Sequence, residues 1–295
     1  MIPLFISSKN RPSQLRLLLE SIGVNTNSLF DITVLYKYDS SGYKLGYEKL
    51  KEEKILSNLT FVEEEQGVNG NFLNQMREYI TSAGKLFSLM VDDNIVYRNI
   101  DATTEEIEEQ FTDDVFCVSL RLGKNTTVAN HLKPHIETPL QEFQKTSEKF
   151  IKWDWTGYES DSGTEDFSSY GLPFTWDGGV YRSEEILNII ENSVIDRPDM
   201  QRFPLPHKME KAVNNFTIDN QQRRFLASPT NSCVIGTDYN KVINTEYQGG
   251  YKFKGDKKGL NDLYLRNFVI DLNSINFSDV KSTHDEIPFE LRKLL

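Results

Sequence analysis

The amino-acid sequence predicts an α/β protein with a doubly wound, mostly parallel central sheet flanked by helices. Two observations carry this. Over roughly the first 120 residues, short apolar runs alternate with stretches whose apolar residues recur at helical spacing. Those runs also end in charged stretches, at the sheet edge where such folds bind ligands. A chain of 295 residues, 38% hydrophobic and 26% charged, is long enough for one unit of enzyme size. A single unit over 1–295 is expected, its two halves meeting near residue 120.

Residues 2–7 form the first apolar run, and Pro12 with Ser13 opens a helix whose Leu15, Leu18, Leu19 and Ile22 share a face. Residues 30–36 (FDITVLY) read as the second strand, 46–54 as a charged surface helix and 59–62 as the third strand. An amphipathic helix follows at 71–83, stopped by Gly84, and then the most apolar strand, 86–91 (LFSLMV). The second half is less regular. It offers strands at 115–121 and 150–155, a polar loop over 124–148, an acidic Ser/Gly-rich segment at 158–167, a loop turning into a strand over 171–182, and a helix at 183–191.

Composition excludes several classes. With 33 Lys+Arg against 44 Asp+Glu the net charge is −11, which argues against a protein that coats nucleic acid, because such proteins concentrate cations against phosphates. Cys117 and Cys233 sit in apolar surroundings with no metal or redox spacing, so reduced, buried thiols are expected. The start carries no signal-peptide pattern and no apolar run reaches about 18 residues, which predicts a cytoplasmic chain without a membrane span.

The chemistry lies after the strands. The first ends in Ser7-Ser8-Lys9-Asn10-Arg11-Pro12, the second in Lys37-Tyr38-Asp39, and the apolar strand in Asp92-Asp93-Asn94. A cation cluster, an isolated acid and an acid pair along one edge suit a nucleotide diphosphate. Adjacent carboxylates repel, and at a strand end they hold a divalent cation, with Mg²⁺ or Mn²⁺ favoured by hard oxygen ligands, or bind hydroxyls. Taken singly, each has a plainer reading: Arg11 solvated at a helix start, Asp39 and the Asp-Asp-Asn run as turn residues.

Taken together, IPLFISSKNRP, the acid after the second strand and GVNGNFLNQMREYITSAGKLFSLMVDDN resemble the nucleotide-binding half of GT-A-fold glycosyltransferases. The order FCVSLRLGKNT, GLPFTWDGGVYRSEEI, FPLPHKMEKAVN, IGTDYNKV and GLNDLYL resembles bacterial and viral family-2-like sugar transferases along most of the chain. The resemblance implies that Ser7 and Arg11 line the nucleotide, Asp39 meets its base or ribose, and Asp92 and Asp93 serve ribose and metal. Arg77 stands near where relatives carry Ala-Arg-Asn, and Asn94 replaces a third acid. Glu210 in His207-Lys208-Met209-Glu210 resembles the helix-start acid that acts as base, with Asp177 of Trp176-Asp177-Gly178-Gly179 in reserve. His284 resembles the histidine that completes a metal shell; a surface histidine is the alternative, as a first-turn acid favoured by the helix dipole is for Glu210.

Trp153, Trp155, Tyr158, Tyr170, Phe174, Trp176 and Tyr181 crowd one region. Rings stack on the C–H faces of sugars, so Trp155 and Trp176 are candidates for an acceptor platform; for Trp153 and Trp155, alternate residues of FIKWDW, burial in the core is the alternative. His131 and His135 are not read as a zinc pair, because Pro134 breaks the helix between them. The expectation is transfer of a sugar from a nucleotide-diphospho-sugar to a saccharide or glycan hydroxyl, metal-assisted and inverting. A sugar-binding scaffold and a nucleotidyltransferase remain the rivals; the latter calls for a Gly-rich phosphate loop that SSKNRP lacks.

Overall fold

A computed structural model describes residues 1–64, 72–128, 142–158, 169–195, 206–221, 223–237, 239 and 257–294. β1 (Ile2–Lys9) leads through Asn10 and Arg11 into α1 (Pro12–Asn25), where Pro12 sits in the first turn without losing a bonded N–H. Leu15, Leu18, Leu19 and Ile22 are buried on one face, as their spacing predicts. β2 (Phe30–Lys37), α2 (Ser41–Glu53), β3 (Leu59–Glu63), α3 (Phe72–Ser82) and β4 (Leu86–Val91) follow. Gly84, with φ +81°, ends the α3 region in a conformation open to glycine.

After β4 the chain makes β5 (Asn94–Val96), α4 (Thr104–Glu108), β6 (Val115–Ser119), β7 (Gln144–Lys145), β8 (Phe150–Asp154), β9 (Gly179–Arg182) and α5 (Ser183–Ile195). It closes with α6 (Pro206–Asn220), β10 (Phe225–Pro229), β11 (Val234–Gly236), α7 (Lys257–Leu265), β12 (Phe268–Ile270) and β13 (Leu291–Lys293). The main sheet has nine strands in the order β3-β2-β1-β4-β9-β6-β10-β8-β7. β3, β2, β1, β4, β6, β10 and β7 run one way; β9 and β8 run the other.

The predicted, mainly parallel sheet is therefore present, with one reversal that matters. β9 lies antiparallel between β4 and β6. Its beginning, rather than its end, comes to the edge where the parallel strands finish. Two small ribbons, β5 with β11 and β12 with β13, lie outside the main sheet and were not foreseen. Helices cover both faces. Ile2, Leu4 and Ile6 of β1 pack with α1, α2 and Tyr264 of α7, while Phe5 packs with α3, α5 and α6, following the strand's period of two. A third cluster joins Leu17 of α1 to Ile95, Ile235, Ile270 and the C-terminal Ile275, Val280 and Ile287. No helix among the described residues is long and apolar enough to cross a membrane.

Candidate functional site

Two polar groups form at this edge. The first gathers at the end of β1. Asp92, 4% exposed, accepts from the Ser8 hydroxyl and the Lys9 N–H on Oδ2, both at 2.9 Å, and from Arg11 Nη1 on Oδ1 at 3.1 Å. The same Arg11 nitrogen also reaches Asp93 Oδ2. Arg11 stands at the N-cap of α1, where it gives no side-chain cap and its guanidinium lies between the two acids. The buried Tyr47 hydroxyl lies 2.7 Å from Ser8 Oγ and accepts from the Arg11 N–H at 3.3 Å. Burial pushes Asp92 above the ordinary carboxylate range, against the pull of Arg11, Ser8 and the Lys9 amide.

Asn10 completes this end. It takes a left-handed φ of 58°, which Asn tolerates. Its Oδ1 accepts from the Asp39 N–H at 2.9 Å while its Nδ2 donates to Asp39 Oδ2 at 2.8 Å. Lys9 approaches the same carboxylate oxygen at 3.4 Å. The expected neighbourhood of Arg11, Asp39, Asp92 and Asp93 is thus assembled, by Ser8, Asn10 and Tyr47, which sequence reading missed.

The second group centres on Asp177, just before β9. Asn94 Nδ2 donates to its Oδ1 at 3.0 Å. Its Oδ2 receives Arg121 Nη1 at 2.7 Å and Thr175 Oγ1 at 3.2 Å, with His284 Nε2 at 3.4 Å. His284 reaches this place because Gly236 has no side chain: a Cβ there would lie 2.2 Å from the imidazole Nδ1. Burial alone would raise Asp177, but His284, Arg121 and Asn94 outweigh it and hold the carboxyl well below the usual range. Glu210 is half-buried in the second turn of α6, a helix tied to the segment before β9 by Asn214 on the Phe174 backbone and by the Trp176 indole on Pro206 O; burial and the charge of Asp177 push its carboxyl up to about 7. Pairs of acids driven apart in this way mark proton-transfer sites.

Several expectations change. Ser7 contributes its carbonyl, which accepts from the Asp92 N–H at 3.2 Å, while the hydroxyl in the cluster comes from Ser8 on the opposite face of the strand. Arg77 lies on α3, and no hydrogen bond or ion pair among the described residues joins it to either group. Asp177 has its oxygens engaged by donors and is held ionised, an arrangement for positioning rather than proton uptake. Trp155 and Trp176 are 2% and 3% exposed. Their indole N–H groups donate to the carbonyls of Arg223 and Pro206, and Trp176 packs on Phe5 and Phe72. The acceptor platform is corrected accordingly: these rings are core. The His131–His135 stretch and most of 158–167 lie outside the described residues.

The expected metal set of Asp92, Asp93 and His284 does not converge. Arg11 lies on both carboxylates, and His284 turns to Asp177. Asn94 Oδ1 is taken by the Val91 N–H at 3.0 Å. No group of three His, Cys, Asp or Glu side chains among the described residues is arranged to hold a metal ion. The side chains as placed do not fit a cation held by the protein alone. Arg121, the residue sequence reading folded into a strand, follows β6 directly and obeys the same strand-end rule that found Asp92.

No protein-family model and no curated relative matches the sequence. Solved structures similar to it include three glycosyltransferases. One is the mannosyltransferase PcManGT from Pyrobaculum calidifontis in complex with GDP-Man and Mn²⁺, at 15% identity over 42% of this chain and 35% of that one, with a TM-score of 0.31. A second is the bifunctional glycosyltransferase WbbM in its apo form, at 11% identity over 76% and 45%, with a TM-score of 0.37. The third is TarS of S. aureus, residues 1–349, at 12% identity over 81% and 61%, with a TM-score of 0.43. The chain spans less than two thirds of each.

Proposed function

We propose that this chain is a GT-A-type glycosyltransferase that moves a sugar from a nucleotide-diphospho-sugar to a hydroxyl of a saccharide acceptor. The observation that carries the reading is the placement of Asp177, which Asn94 ties to the Asp92–Asp93 turn and its Arg11, with α6 and its Glu210 held to the same segment through Trp176 and Pro206; burial and the charge of Asp177 push the Glu210 carboxyl up to about 7. A base poised near neutrality is matched to taking a proton from a hydroxyl.

In this reading the nucleoside lies toward Asp39, whose orientation is set by Asn10, and the diphosphate lies beside Lys9 and Arg11. The incoming diphosphate competes with Asp93 for the Arg11 guanidinium, so that positive charge meets the leaving group as its charge develops. Glu210 accepts the acceptor's hydroxyl proton. The oxygen then bonds to the anomeric carbon, and the bond to the diphosphate breaks with its electron pair on the departing phosphate oxygen, which inverts the centre. Neighbour PcManGT was captured with GDP-Man and Mn²⁺; whether this chain takes up Mn²⁺ together with a donor is one arm of the test.

The test is a thermal-shift and calorimetric screen with UDP, GDP, CMP, dTDP and their sugar conjugates, in Mn²⁺ and in EDTA. One nucleotide is expected to raise the melting temperature. Glu210→Gln should keep that binding and lose transfer by about 10²- to 10⁴-fold, the range for a lost general base. No shift with any nucleotide, or full activity of Glu210→Gln, would overturn the proposal.

A further inference from the structure

We infer that Asn94 is a positioning residue whose side-chain amide ties the Asp92–Asp93 turn to Asp177, holding the donor-side acids in register with Glu210. The inference rests on the transferase reading above. It starts from the one position where the acid run departs from three acids.

Asn94 is 1% exposed, and both ends of its amide are used. Oδ1 accepts from the Val91 N–H at 3.0 Å, closing the turn; Nδ2 donates to Asp177 Oδ1 at 3.0 Å. Only an amide does both. An aspartate in its place would accept from Val91 equally well but set one carboxylate oxygen against another across a buried 3.0 Å gap. The chemistry at this position is a bridge, and the residue type follows from it.

The bridge has a far end. Asp177 lies in a segment tied to α6, the helix that carries Glu210: Asn214 exchanges two hydrogen bonds with the Phe174 backbone and the Trp176 indole donates to Pro206 O, so contacts run from Arg11 through Asp92 and Asp93, across the turn to Asn94, then through Asp177 and its segment to α6. The turn's backbone is held independently. Asp92 N–H donates to Ser7 O, and Asp93 O accepts both the N–H and the hydroxyl of Thr237, each at 2.7 Å. Loss of the Asn94 amide therefore cuts the link between the turn and Asp177 Oδ1 while the turn stays in place.

The experiment compares Asn94→Asp, Asn94→Ser and the exchange Asn94→Asp/Asp177→Asn with the wild type, reading nucleotide affinity, kcat and KM separately. Asn94→Asp should leave nucleotide affinity within about threefold and lower kcat by about tenfold or more. The exchange, which puts an amide opposite a carboxylate again, should recover several-fold of that loss, a coupling between the two sites that a merely structural role does not give. If Asn94→Asp fails to fold, Asn94→Ser carries the test: its short side chain does not reach Asp177, and the folded variant should lose kcat while nucleotide affinity stays within about threefold. Retained kcat in the single variants, absence of recovery in a folded exchange variant, or Mn²⁺-dependent nucleotide binding strengthened by Asn94→Asp would overturn the inference. A wild type that neither binds nucleotide nor transfers sugar would instead overturn the transferase reading, so the two failures are distinct.

Discussion

Asp92 and Asp177 are both buried beside an arginine, yet their carboxyls lie on opposite sides of the ordinary range. In both, burial is the largest single influence and pushes upward. The difference is the supply of positive and donating groups. Asp92 shares the Arg11 guanidinium with Asp93, and its other donors are the neutral Ser8 hydroxyl and Lys9 amide. Asp177 draws on Arg121, His284, Asn94 and Thr175. A buried acid is thus set by how many cations it must share. The fixed charge of Asp177 in turn lifts Glu210, which a neutral neighbour would not do.

The sharpest way to break this comparison is to remove the two arginines separately. Arg11→Ala leaves two adjacent acids without their shared cation and should cost about 3–5 kcal/mol, the scale for a buried pair stripped of one partner. Arg121→Ala leaves Asp177 with His284, Asn94 and Thr175, so a smaller cost of about 1–3 kcal/mol is expected. Urea denaturation of both variants ranks them. A larger cost at Arg121 would show that sharing a cation does not separate the two sites.

A second effect, smaller in stability, sharpens the contrast through pH. Asp177 has a lowered carboxyl, so it contributes stability above its unfolded pKa that is lost as pH falls through the folded one. Glu210 is the opposite case. Its carboxyl is raised to about 7, so the native state holds a proton that the unfolded chain has released, and stability declines as pH rises from about 4.5 to 7. Glu210→Gln should accordingly match the wild type near pH 4 and exceed it at pH 8 by about 1–2 kcal/mol, less than the full shift implies because the group keeps some contact with screening water. Transfer by the wild type should rise with pH and level off above about 7. Equal stability of the two proteins at pH 8, measured by the same denaturation, would remove the premise for Glu210 as the base.

The donor end was the more legible of the two regions. β1, β2 and β4 show their apolar runs, and the charged residues directly after them, Arg11, Asp39, Asp92 and Asp93, come to one edge by the topology of parallel strands alone. The residues that assemble them are less visible, since Ser8, Asn10 and Tyr47 are ordinary in a sequence and acquire meaning only through contacts 29 to 84 positions away. The other end depends on reversals and long returns. β9 brings its start to the edge because it runs backwards, and His284 arrives from a segment seated on Gly236, so neither follows from local pattern. The aromatic cluster misled because rings suited to sugars are equally suited to a core, and composition does not distinguish them.

The smallest expected effect separates two tryptophans that the sequence placed in one group. Trp155 donates to Arg223 O at 2.7 Å and Trp176 to Pro206 O at 3.0 Å, and both are buried. Replacing either by Phe removes one hydrogen bond and part of a ring, so a similar loss of about 1–2 kcal/mol is expected from thermal melts. Their consequences for transfer should differ. Pro206 opens α6, four residues before Glu210, so the Trp176 indole helps fix where the helix carrying Glu210 begins. Arg223 lies beyond the end of α6, on the approach to β10, away from that start. Trp155→Phe should therefore leave kcat within about twofold, whereas Trp176→Phe should lower it by about three- to tenfold with donor KM little changed, because a misplaced base costs the chemical step more than binding. A large kcat or acceptor KM effect confined to Trp155 would restore that ring to the acceptor site and place the active edge elsewhere than β1, β4 and β9.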